Sequence, residues 1–89
     1  MITRANYLLD MQCALRYLDD LEKFLKNNQL YMAKASIQRV KEYLETYGRP
    51  GFESNFEKIR MIELTLEQGQ DPKDLISSLR TDINLRLKK

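Results

Sequence analysis

The sequence predicts an all-α domain of four helices, either an antiparallel bundle or two stacked helical hairpins, and three observations predict it. From Leu30 to Tyr47 the residues Leu30, Ala33, Ile37, Val40, Leu44 and Tyr47 recur at alternating steps of three and four, forming one narrow seam on a helix that packs along another. Polar breaks and glycines divide the chain into four such segments, and their short connections imply antiparallel neighbours. β-branched residues never cluster with period-two alternation, so nothing reads as a strand.

Thr3 is the N-cap expected for a first helix that runs to about Lys26, and Asn27-Asn28-Gln29 forms the first polar break. The second helix is expected from about Gln29 to Tyr47, with Gly48 as its left-handed stop and Arg49-Pro50-Gly51 opposing continuation. In the third segment Ser54 and Glu57 have capping-box spacing, which predicts a helix from Asn55 to Gln68 stopped by Gly69, with Phe52 packed over its first turn. The fourth helix has the clearest local signal: Asp71 as N-cap, Pro72 at the first helical position and Asp74 in the first turn. It should run to about Leu87, with Arg86, Lys88 and Lys89 suiting its C-terminus.

The 89 residues make a single domain, residues 1–89, near the lower end of what one hydrophobic core supports without disulfides, metal or a partner. Fifteen basic and 13 acidic residues leave a net charge of +2, divided almost evenly between the two halves, so charge makes no strong case for a nucleic-acid or membrane ligand. Cys13 is the only cysteine and histidine is absent, which excludes an intrachain disulfide and argues against structural zinc. The N-terminus carries no signal-peptide pattern, and no run approaches the roughly twenty apolar residues of a spanning helix. Together these predict a cytoplasmic protein.

Aligned on the first helical hairpin, Tyr17, Phe24, Ala33, Ile37 and Val40 resemble the aromatic, small and branched packing positions of a tetratricopeptide repeat. The glycine that family places in its first helix would fall at Leu21, and its later proline at Glu45. No second copy follows, whereas stable arrays need about three repeats. The resemblance therefore implies a helical hairpin and carries no further functional expectation.

The parts of an active site are sparse. Histidine, the commonest general base, is missing, and Asp19 and Asp20 point about 100° apart on a helix, as solvated surface carboxylates do. Asp71 and Asp74 have helix-start roles that explain them without Mg²⁺, and Cys13, mid-helix, reads as a small packing residue. No enzymatic activity, cofactor or metal is expected.

Surfaces are the better candidates. On the first helix Tyr7, Met11, Ala14, Leu18, Leu21 and Leu25 form one stripe, while Leu9, Cys13, Tyr17 and Phe24 carry the apolar arc round a second side. One neighbour cannot cover both sides. Either this helix touches two or three others of its own bundle, or its second side joins another chain, most simply a second copy. Tyr31 points away from its own seam, and Met61 and Leu64 lie off the Phe56, Ile59, Ile62 and Leu66 seam, as Leu85 lies off its own.

The expectation is a small protein-binding factor acting by occlusion or bridging through Leu9, Tyr17, Phe24, Tyr31, Met61 and Leu64, with homodimerisation through the first helix as the simplest partnership. The alternative is a DNA-binding regulator that grips phosphates. It would use Lys34, Gln38, Arg39 and Lys41 on the second helix, with Arg86, Lys88 and Lys89 at the C-terminus beside Arg80.

Overall fold

A computed structural model describes residues 4–46 and 51–88. Four helices occupy nearly all of them: α1 (Arg4–Lys26), α2 (Leu30–Glu45), α3 (Glu53–Glu67) and α4 (Lys73–Leu87). Each helix packs on two others in a closed ring, α1 on α2 and α4, and α3 on α2 and α4, with α1 and α2 the most closely apposed pair. The result is a bundle with extents of 39 × 21 × 20 Å.

The apolar seams explain the arrangement. Met11, Ala14, Leu18 and Leu21 of α1 meet Ala33, Ile37, Val40 and Leu44 of α2, and the core is completed by Phe56, Ile59, Ile62 and Leu66 of α3 with Ile76, Leu79 and Ile83 of α4. Ala14 and Ala33, both fully buried, are the small residues that allow backbones to approach closely where they face a neighbour. One expected seam position differs. Leu30 is 42% exposed because it opens α2 at the end of the bundle, beyond the reach of full cover. Tyr47, like Thr3, Gly48, Arg49, Pro50 and Lys89, lies outside the described residues.

Helix starts depart from the expectation by one or two residues. The Ile76 amide donates to the carbonyl of Pro72 at 2.9 Å, so Pro72 takes the N-cap position expected of Asp71, and no side chain caps this end. Likewise α3 begins at Glu53 behind Phe52, two residues before the expected Asn55, and the Ser54 and Glu57 capping box does not form. Glu57 instead accepts a hydrogen bond from Arg60 at 3.0 Å. That bond, reinforced by the guanidinium charge, lowers the Glu57 carboxyl below its ordinary value.

Helix ends are better specified. Gly69 sits at φ +72, with its amide donating to the Leu66 carbonyl and that of Gln70 to the Thr65 carbonyl, each at 3.0 Å. This paired pattern is the Schellman closure, which satisfies carbonyls the helix leaves orphaned. Asn28, at φ +59, closes α1 in the same way through bonds from Asn28 to Leu25 and from Gln29 to Phe24. Asparagine tolerates the left-handed region, glycine adopts it freely, and a β-branched residue resists it. Asn28→Val is therefore expected to lower stability by about 1–2 kcal/mol, whereas Asn28→Gly should match or exceed the parent in urea unfolding.

Polar links fix the fourth helix against its neighbours. Arg80 donates to Asp19 at 2.8 Å and to Glu22, joining α4 to α1. Asp19 remains an exposed surface carboxylate, as expected, and pairs there with α4. On the other flank Asn55, only 2% exposed, donates to Asp82 at 3.3 Å and accepts from Arg86 at 2.8 Å. Lys58 also donates to Asp82, and Arg86 to the carbonyl of Gly51, with its guanidinium 3.8 Å from the Phe52 ring centroid. This network docks the start of α3 on the end of α4.

Candidate functional site

The wide apolar arc of α1 is the first feature the fold resolves. Tyr17 and Phe24 are half-buried and packed against the core, and Tyr17 lies 5.9 Å from the Tyr43 ring of α2, tilted by 32°. Cys13 adjoins the same tyrosine. The Tyr43 phenol titrates above its ordinary value, first because of the neighbouring Cys13 charge, then through burial and a hydrogen bond with Cys13. Much of the second side of α1 therefore faces α2 of its own chain. Leu9, 58% exposed, is the member of that arc left open.

The remaining apolar candidates do face solvent. Tyr31 is 84% exposed, and Met61 and Leu64 are 41% exposed each. Leu9, Tyr31, Met61 and Leu64 line neither of two grooves formed by the described residues.

The first groove, of about 640 Å³, opens where the α1–α2 turn meets the α3–α4 turn. Its base is apolar: Leu66 and Ile76 are almost wholly buried there, and Leu25 and Leu30 complete it. Lys26, Glu22, Asp71 and Lys73 stand at its rim. Such a volume falls within the roughly 300–1,000 Å³ common for sites that take a small molecule or a side chain.

Beside this groove the chain exposes three apolar residues in succession, Leu30, Tyr31 and Met32, the last 44% exposed. A single core-facing stripe cannot account for three consecutive helical positions, because they sweep about 200° round the axis. Leu30 belongs to both features and joins the outward run to the groove. The groove itself draws Leu25, Leu30, Leu66 and Ile76 from four helices, which no local pattern connects.

A second groove lies at the other end, lined by Tyr7, Asn55, Asp82, Leu85 and Arg86 among others. Its Asn55, Asp82 and Arg86 already serve the network between α3 and α4. The Cys13, Tyr17 and Tyr43 cluster is likewise part of the packing between α1 and α2. Among the described residues no group of three Cys, Asp or Glu side chains is placed to hold a metal ion, and no helix is long and apolar enough to cross a membrane.

The basic residues considered for phosphate contact are dispersed. Arg39 pairs with Glu42 at 3.4 Å, Lys41 is half-buried, and Lys34 and Gln38 are exposed on α2. At the end of α4, Arg86 is engaged with Asn55 and Gly51, and Arg80 with α1, so neither is a free cation. Lys88 is exposed, and Lys89 lies outside the described residues. Compared with protein-family models, curated proteins and solved structures, the chain matches none of them.

Proposed function

We propose that the protein is a small, non-enzymatic binding factor that engages another protein through the surface formed by the start of α2 and the adjoining groove. The observation that carries this reading is the exposed run Leu30-Tyr31-Met32 beside a groove with an apolar base. Exposing three consecutive apolar side chains serves no purpose in the core of this chain, whereas a docked partner would remove them from water. Tyr31 would act as a rigid aromatic anchor while a partner side chain fills the groove, and occlusion or bridging would follow without a covalent step.

Homodimerisation through α1 has less to recommend it, since Tyr17 and Phe24 already pack within the chain. Leu9, Met61 and Leu64 do not line this groove. The DNA-binding alternative loses support with Arg80 and Arg86 tied into internal contacts. A photo-reactive residue at position 31, activated in cells that make the protein, tests the proposal. It should yield discrete adducts with another polypeptide, and an adduct of twice the chain mass would identify self-association instead. Adducts no more frequent than from a probe at exposed Ser77 would remove the basis for the reading.

A further inference from the structure

The partner's chemistry can be narrowed from the charge beside the same surface. Residues 26–41 contain Lys26, Lys34, Arg39 and Lys41 and no acidic residue, a local charge of +4, while the rest of the chain sums to −2. The entire positive excess of the protein thus lies on the segment that carries Leu30, Tyr31 and Met32. Arg39 is neutralised by Glu42, but Lys26, Lys34 and Lys41 form no ion pair among the described residues. At the groove rim Lys26 and Lys73 stand with Asp71 and with Glu22, which shares Arg80 with Asp19, so the rim itself is balanced and the excess positive charge lies along α2 at Lys34 and Lys41.

We infer that this surface receives an acidic, amphipathic segment of another protein, in which an apolar side chain flanked by carboxylates enters the groove between Leu30 and Ile76. The inference rests on the protein-binding reading above and adds the identity of the segment's chemistry. Positive potential around an apolar anchor point steers and orients an acidic segment, and it repels a basic one. Lys34 and Gln38, one and two turns beyond Tyr31 on the outward side of α2, extend the contact with a cation and an amide.

Two other polyanions fit less well. Proteins that hold nucleic acid through its backbone commonly neutralise about 6–10 phosphates, and this face offers only a few free lysines. Interfacial membrane helices bury a continuous apolar face, whereas the apolar face of α2 is directed into the core and only its first turn exposes large apolar groups. A polypeptide can use one aromatic anchor, one filled groove and a few rim charges together.

Selection of a random peptide library on the intact chain tests this. Enriched peptides should carry carboxylates around a Leu, Ile or Phe. Binding of a selected peptide should fall about tenfold in the double variant Lys26→Glu with Lys34→Glu, and about tenfold in Tyr31→Ala, with helicity by circular dichroism retained. Lys34→Glu alone, at an exposed position, should show a smaller loss in the same direction should the double variant fail to fold. Enrichment of basic or uncharged peptides, or acidic peptides indifferent to these charges, would overturn this inference while supporting the protein-binding reading. No enrichment at all would overturn both. Tighter binding to random duplex DNA, or to phosphatidylglycerol vesicles, than to any selected peptide would overturn it in favour of those ligands.

Discussion

Truncation of Leu18 to alanine is expected to lower the free energy of unfolding by about 2–5 kcal/mol. Leu18 is fully buried on α1, within the same core as Leu21, Ile37, Val40 and Leu79, so its loss removes apolar contact and leaves a cavity that rigid helices fill poorly. A domain of this size has only about 5–15 kcal/mol to lose, so the variant should unfold at much lower denaturant. Leu9→Ala, made on the same helix where the side chain is 58% exposed, should change stability by no more than about 0.5 kcal/mol. Equal losses in the two variants, read from urea midpoints at constant slope, would contradict the assignment of these two faces of α1.

Asn55→Leu is expected to cost about 1–3 kcal/mol although it places an apolar residue of similar size at a buried position. The side chain of Asn55 is both donor and acceptor, to Asp82 at 3.3 Å and from Arg86 at 2.8 Å. Leucine would strip both partners of a contact in a half-buried place where water replaces it poorly. The loss should be coupled to Arg86. In a double-mutant cycle with Arg86→Ala the two effects should fall short of additivity by about 0.5–3 kcal/mol, whereas strict additivity would show that the network carries no energy as a unit.

These two residues mark how far the sequence could be read. Leu18 belongs to a periodic stripe, and periodicity reveals a core face before any neighbour is known. The four helices are legible for similar local reasons, as is the stop at Gly69, where glycine supplies the left-handed closure, whereas the sequence marks Asn28 only as part of a polar break. Helix starts were less legible. Asp71, Ser54 and Glu57 have the right identities for caps, but the backbone begins α3 and α4 without them and Glu57 pairs with Arg60.

Asn55 was unreadable as a hub because its partners lie 27 and 31 residues away. The candidate surface was legible in the same uneven manner. Angular distance from the seam identifies Tyr31, Met61 and Leu64 as outward-facing, but it cannot show that Tyr43 of α2 stands opposite Tyr17 or that Phe24 packs against the core. The groove had no sequence signature of its own. Its one available signal was the run Leu30-Tyr31-Met32, too many apolar positions in succession for a single face.

The most direct test of the binding surface is amide hydrogen exchange of the full chain, free and saturated with the protein captured at position 31. Slowed exchange should be confined to the start of α2, the α1–α2 turn and the α3–α4 turn. Unchanged exchange there, with new protection around Leu9 or along the outer face of α4, would contradict it.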